Sequence, residues 1–321
     1  MKLISAIVPC YNEEENVPYF YEEFMKNKAF FDTHDLTYEL IYVDDGSSDG
    51  TVGAVKKLIA QDKKVKLISF SRNFGKESAM YAGMQHAKGD YVAIMDADLQ
   101  DPPSLLPEMY EWLQQGYECA ATRRVDRKGE PPIRSFFARK FYALMKRFSS
   151  ADIVDGARDY RLMSRKFVNA VLSLKEVNRF SKGIFGWVGY KTKWVEFENV
   201  ERRHGETKWS FWKLFVYAVE GIVDFTTVPL TIAAFLGVVL CLFAFVMLLF
   251  VWIRAMLYGD PVAGWPSMVC IMLLVAGVQM FFLGIIGEYL AKAYQELKAR
   301  PIYLVQELVD EEESGTDPEN S

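Results

Sequence analysis

The chain has 321 residues, a net charge of −5 and four cysteines, Cys10, Cys119, Cys241 and Cys270. That length admits two average domains, and the lack of a large positive charge speaks against nucleic acid as a partner. The cysteines show neither ligand spacing nor a disulfide framework, which suits a catalytic part facing a reducing cytoplasm.

Leu3 to Val8 is a short apolar strand ended by Pro9, and Glu13 to Met25 carries apolar residues at helical spacing. Tyr38 to Val43 predicts a second strand, followed by the turn-and-cap cluster Asp44 to Thr51, in which Asp49 is suited to capping. Val52 to Ala60 predicts a helix, Val65 to Phe70 a strand, Glu77 to Ala87 a helix and Tyr91 to Met95 a strand. Strands alternating with helices at this spacing predict an α/β fold, a parallel sheet covered on both faces. Ligands of such sheets bind beyond the carboxyl ends of the strands. Pro9–Glu14, Asp44–Asp49, Ser71–Lys76 and Asp96–Asp101 all fall there.

Each cluster has a chemistry. Asp96 and Asp98 share a face of an extended chain, and Gln100 joins them if the chain stays extended. Oxygen ligands at a rigid strand end suit Mg²⁺ or Mn²⁺, ions that accompany phosphate-rich substrates. A solvated turn is the alternative, because Asp favours turns, but four polar clusters on one rim favour the metal site. Asp44 and Asp45 are suited to a base N–H or ribose hydroxyls. Asn12 and Glu13 open a helix whose free N–H groups are available to a ligand, or Asn12 simply caps it. Lys76 either reaches a phosphate or is surface charge.

Tyr117 to Arg123 predicts a fifth strand. In residues 134–148 Phe137, Phe141, Leu144, Met145 and Phe148 form a stripe flanked by basic residues. Such a helix lies in a headgroup region or docks on the sheet. Asp159 begins a short strand beyond the sheet. Arg202 and Lys208, in a glycine-containing loop, are suited to phosphate oxygens. His204 lacks a ligand partner at a sensible spacing, and Trp209 to Phe225 is a second interfacial candidate.

Val228–Ile253 and Val262–Gly287 contain no charge over 26 residues each. As helices rising ~1.5 Å per residue they reach about 39 Å, enough to cross a ~30 Å hydrocarbon core. The alternative, a pair of buried core helices, rarely runs so long without a polar face. Both lie too far from the N-terminus to be a signal peptide. Basic residues flank the pair on its outer sides, whereas Arg254–Pro261 holds one Arg and one Asp. The positive-inside rule therefore expects both ends in the cytoplasm and a small external hairpin. Gly284 and Gly287 would admit close approach of a second helix, compatible with a homo-oligomer. Six acidic residues crowd the end, from Asp310 to Glu319; without them the chain carries about +1. From Val309 the chain reads as a disordered, solubilising tail.

Pro9-Cys10-Tyr11-Asn12-Glu13-Glu14, Val43-Asp44-Asp45-Gly46-Ser47-Ser48-Asp49, Asp96-Ala97-Asp98-Leu99-Gln100-Asp101 and Arg202-x-x-Gly205-x-Thr207-Lys208-Trp209 occur in order. Together with two C-terminal spans they resemble the family-2, GT-A-fold glycosyltransferases, in particular the two-span bacterial polyprenyl-phosphate hexosyltransferases. That group holds bactoprenol glucosyltransferases and is related to dolichol-phosphate mannose synthases. Thr207 stands where the family commonly has Ser, keeping the hydroxyl. The resemblance implies a Rossmann-like, mostly parallel GT-A domain over 1–208, an interfacial helix over 209–227, two spans within 228–287, a juxtamembrane segment over 288–308 and a tail over 309–321.

It also implies roles. Pro9, Tyr11, Asn12, Glu13, Asp44 and Asp45 surround the nucleotide, with Lys76, Asp96 and Ala97 completing the nucleotide-sugar site. Asp98, with Asp96 and Gln100, holds Mg²⁺ or Mn²⁺ on the diphosphate. Asp159 is the catalytic base or acceptor-positioning residue, and Arg123, Arg134, Arg202 and Lys208 meet donor or acceptor phosphates. The expected reaction is inverting transfer of a hexose, glucose from UDP-glucose before GDP-mannose, UDP-GlcNAc or an aminosugar donor, to polyprenyl phosphate at the plasma membrane. A processive polysaccharide synthase is disfavoured, since no Gln-x-x-Arg-Trp segment is present. A non-catalytic scaffold is disfavoured by the complete carboxylate set.

Overall fold

A computed structural model of the chain describes residues 1–124, 154, 156–197, 228–258 and 264–310. The basic aromatic helix 134–148 with Arg134, the loop of Arg202, His204 and Lys208, the interfacial segment 209–227 and the end beyond residue 310 lie outside the described residues.

Residues 1–124 alternate between strand and helix as the sequence predicts. In order come β1 (Lys2–Cys10), α1 (Asn16–Met25), α2 (Lys28–Thr33), β2 (Leu36–Asp44), α3 (Thr51–Gln61), β3 (Val65–Phe70), α4 (Lys76–His86), β4 (Tyr91–Ile94), α5 (Leu106–Gln114) and β5 (Cys119–Arg124). Then follow β6 (Ala157–Ser164), α6 (Arg165–Ser173), α7 (Ser181–Trp187) and β7 (Thr192–Phe197). The eight-stranded sheet runs β7-β5-β6-β4-β1-β2-β3-β8, where β8 is Val305–Val309. β1 pairs in parallel with both β2 and β4, so the chain leaves β1 first to one side and later to the other. The crevice between the ends of β1 and β4 is therefore the topological switch point.

Side chains alternate across the strands into two cores. Ile4, Ala6 and Val8 face Val17, Phe20 and Phe24 of α1 and Val55 and Leu58 of α3. Phe20 and Phe24 are fully buried, each contributing roughly 1.5–3 kcal/mol by removal from water. Ile7, Val92 and Ile94 face the other way, toward α4 and α6. α4 is buried along Ser78–Met84, and its first turn stands over the switch point.

Two parts of the architecture depart from the sequence reading. Asp159 lies on β6, inside the sheet between β4 and β5 and antiparallel to both, rather than on a strand beyond it. Pairing between Cys119–Ala121 and Arg161–Met163 has no local sequence signature, because those residues come from either side of a long intervening segment. At the C-terminal end, Val309 is the last residue of β8, antiparallel to β3, and Asp310 is 2.9 Å from Lys66 Nζ. Lys66 also pairs with buried Glu39 at 3.0 Å, so Asp310 belongs to a folded charge network.

Helices α8 (Val228–Tyr258) and α9 (Trp265–Leu297) hold the charge-free runs. Val228–Met247 and Leu274–Leu297 are apolar enough to cross a membrane, with mean hydropathies of 2.7 and 1.7 and no part packed inside the protein. Phe235, Leu242, Phe243 and Phe281 are more than 60% exposed, which is unlike core helices. α9 continues past Gly287 because Glu288–Leu297 consists largely of good helix formers.

Candidate active site

The loops at the switch point are tied to one another. Asn12 N donates to Ser47 Oγ, Glu13 N to Thr51 Oγ1 and Glu14 N to Asp49 Oδ2, while Asn12 Oδ1 accepts from Ser48 N. α1 begins only at Asn16, so the N–H groups expected to be free at a helix start hold the second loop instead. Asp49 is not the N-cap of α3, a position held by Gly50; its carboxylate accepts from Thr51 N two residues on.

Asp44 and Asp45 are 1% and 4% exposed. Asp44 accepts from Ser47 N and Ser69 Oγ, and Asp45 accepts from Phe74 N at 2.6 Å and Gly75 N at 2.9 Å. Burial pushes the Asp45 carboxyl up to about 6, against the opposing pull of those two N–H groups. The pair thus anchors the 71–75 loop, with carboxylate lone pairs left over for a ligand. Gly46, at φ +71°, is where the two loops touch: a Cβ there would lie 2.5 Å from the Arg72 carbonyl carbon.

That anchored loop delivers Lys76. The β4–β6 register pairs Ile94 with Arg161, so two residues further on Asp96 comes opposite Asp159, on the face covered by α4. Two carboxylates so placed repel. Lys76 Nζ sits between them, 2.6 Å from Asp96 Oδ1 and 2.6 Å from Asp159 Oδ2. Burial would raise the Asp159 pKa, but the ammonium of Lys76, helped by Lys182 and Arg161, holds it well below the usual carboxylate range. Lys76 is correspondingly raised: burial opposes its charge, and Asp159 and Asp96 more than offset it. Beside it, burial lifts Glu77 to about 7 even though its carboxylate accepts from Ser181 N and Oγ.

Asp98 and Gln100 do not continue the alternation. β4 ends at Ile94 and Leu99 has φ +57°, so the chain turns. Gln100 N donates to Asp98 Oδ1, and Gln100 Oε1 accepts from Arg158 Nη2 at 3.1 Å rather than lying beside Asp96 and Asp98. Arg158 also binds Asp101, which is fully buried, at 3.0 Å. Among the described residues no group of three or more His, Cys, Asp or Glu is gathered to hold a metal. The donor chemistry still fits a hard divalent cation: Asp96 already carries an ammonium, and Mg²⁺-type sites commonly use one or two carboxylates completed by substrate phosphates.

Arg123 lies at the end of β5, 4.0 Å from Glu196, with its Nε buried and unpaired. On the Asp159 side a cavity of about 290 Å³ is lined by Arg161, Lys182, Phe185, Tyr190 and Trp194 among others. Pro9 sits in β1 paired with Val43, Tyr11 is 42% exposed on the rim, and buried Ala97 packs into the sheet core. Arg158, Arg161, Glu77 and Lys182 escaped the sequence reading. The alternation Arg158-Asp159-Tyr160-Arg161 was the available signal, since it sends the arginines to opposite faces.

Residues 5–172 match glycosyl transferase family 2. CsbB of Bacillus subtilis (strain 168), named as a glycosyltransferase without a stated substrate, is 42% identical over 95% of this chain and 92% of its own. The prophage bactoprenol glucosyl transferase homolog of Escherichia coli (strain K12) and the bactoprenol glucosyl transferase of Shigella phage SfX are each 38% identical, over 94% of this chain and 98% of theirs. With its Rossmann-like α/β sheet and its carboxylate rim, the chain belongs to glycosyl transferase family 2 and is a glycosyltransferase.

Proposed function

We propose that the protein transfers glucose from UDP-glucose to the phosphate of a membrane polyprenol at the cytoplasmic face. The observation that carries the reading is the Asp96–Lys76–Asp159 bridge at the switch point, in a chain that also bears two exposed apolar helices. Similarity to proteins named bactoprenol glucosyl transferase supports the sugar and the acceptor.

The donor diphosphate would lie beside Asp96 and Asp98, which would hold Mg²⁺ or Mn²⁺ together with its oxygens. When bound, such an ion supplies neutralisation of charge on the leaving diphosphate. An acceptor phosphate oxygen attacks the anomeric carbon, and the bond from that carbon to the diphosphate breaks, its electron pair leaving with the diphosphate. One in-line displacement inverts the configuration. Because Asp159 stays ionised it is a weak base, and a phosphate oxygen needs little activation, so Asp159 orients the acceptor. Lys76 can release a carboxylate to meet a phosphate. The cavity lined by Arg161, Lys182 and three aromatic rings flanks the acceptor side. Arg123 at the β5 end, with Arg134, Arg202 and Lys208, would serve phosphates.

The test uses the full chain in proteoliposomes containing undecaprenyl phosphate, offered radiolabelled UDP-glucose, GDP-mannose and UDP-GlcNAc separately. Label from UDP-glucose entering the lipid phase is the expected result. Label in polymer, or none from any donor, rejects the reading.

A further inference from the structure

The segment leaving the second apolar helix is fastened to the catalytic domain at two places, the 177–178 loop and the pair Phe70 and Gln85. On one side, the Glu296 carboxylate on α9 accepts from Val177 N at 2.9 and 3.1 Å and from Asn178 N at 3.1 Å. These bonds hold the loop that enters α7, whose first residue, Ser181, donates to Glu77. Within the same loop the Arg179 guanidinium lies over the Tyr81 ring of α4, 4.3 Å from its centroid. Bonds to a charged carboxylate are the strong kind.

On the other side, the Tyr303 ring stacks on Phe70 at 4.9 Å, and its hydroxyl donates to Gln85 Oε1 of α4 at 2.9 Å. Ser71 N donates to Leu304 O at 3.0 Å. Phe70 in turn meets Phe74 edge-on, and Phe74 and Gly75 are held by Asp45 immediately before Lys76. Lys56–Glu307 and Lys66–Asp310 pin the following strand. Both lines of contact thus end at Lys76 and Glu77.

We infer that Glu296 and Tyr303 are positioning residues for the Asp96–Lys76–Asp159 cluster, acting through the two loops that flank the start of α4. The inference rests on the glycosyl-transfer reading of that cluster. It means that the anchor which brings the domain to a lipid acceptor also sets the geometry of the groups that receive it. Neither residue touches the reacting atoms.

The experiment compares the full-length protein in nanodiscs with Glu296→Ala, Tyr303→Ala and the double variant, and with Glu296→Gln and Tyr303→Phe. Hydrogen exchange by mass spectrometry should rise in peptides covering residues 70–80 and 174–187 in the alanine variants, and stay unchanged in β2. The kcat should fall by about tenfold or more with donor KM within about twofold, the signature of a lost transition-state interaction. Tyr303→Phe keeps the ring stack and Glu296→Gln keeps an acceptor oxygen, so both should recover most of the rate. Unchanged exchange in both segments overturns the inference, and so does raised exchange with kcat intact. A wild type inactive with every donor refutes the glycosyl-transfer reading instead, and the exchange result then decides the link by itself.

Discussion

Lys76 Nζ lies 2.6 Å from Asp159 Oδ2, joining the first residue of α4 to the strand that enters the sheet from the far side of a long segment. The same ammonium reaches Asp96, so one cation offsets the repulsion of two facing carboxylates. Lys76→Met should therefore reduce kcat by about a hundredfold, the scale of losing one preorganised charge donor. With Lys76 gone, burial dominates Asp159 and raises its pKa, moving the acid limb of the pH–rate profile upward. Because the folded pKa of Asp159 is depressed, its stabilisation is complete above the ordinary carboxylate value near ~4 and is lost as pH falls through the folded value. Thermal unfolding of wild type and variant should thus diverge at pH 7 and converge in strong acid.

Glu77 has the opposite sign. Its folded pKa is raised to about 7 by burial, so its contribution is complete below the ordinary value and is lost as pH rises through about 7. Glu77→Gln, which keeps an oxygen for the Ser181 N–H, should flatten the fall in Tm between pH 6 and 8. A variant whose Tm falls as steeply as wild type over that interval would show that Glu77 does not titrate there.

Asp98 gives the metal test. Chelation should abolish transfer and Mn²⁺ should restore it. Asp98→Ala should weaken Mn²⁺ binding followed by electron paramagnetic resonance and cost about a hundredfold or more in turnover, as several kcal/mol of Lewis-acid stabilisation require. Normal turnover of Asp98→Ala in chelator would sink the assignment.

Arg158 holds the turn that carries Asp96 and Asp98, through fully buried Asp101. Arg158→Ala leaves that carboxyl without its ion partner, and breaking a buried pair costs about 3–5 kcal/mol. A marked drop in thermal stability is expected, with Arg158→Lys recovering part of it. A Tm within a degree or so of wild type would mean that the turn is held by its backbone alone.

Much of this was legible in the chain itself, because the signals were local. The strands ending at Cys10, Asp44 and Phe70 announce themselves by short apolar runs stopped by polar clusters, and side-chain periodicity needs only neighbours in sequence. Gln100 shows where local reasoning fails. Alternation assumes that an extended chain continues, and the left-handed φ of Leu99 ends it. Asp44 and Asp45 stand out as a pair, but the backbone partners of Asp45, the 74 and 75 N–H groups, lie in another loop.

By itself the sequence determined the alternating α/β order, the rim on which the polar clusters collect and the two long charge-free runs, since each follows from periodicity or from length against hydrocarbon thickness. Only the tertiary structure decided that Asp159 enters the sheet beside β4, that Lys76 closes the gap between it and Asp96, and that the chain returns from α9 to finish the sheet with β8. Those decisions depend on register between segments separated by as many as 251 positions, as in Lys56–Glu307. Hydrogen-bond partners and ion pairs at such separation are chosen by packing, which no window along the chain contains.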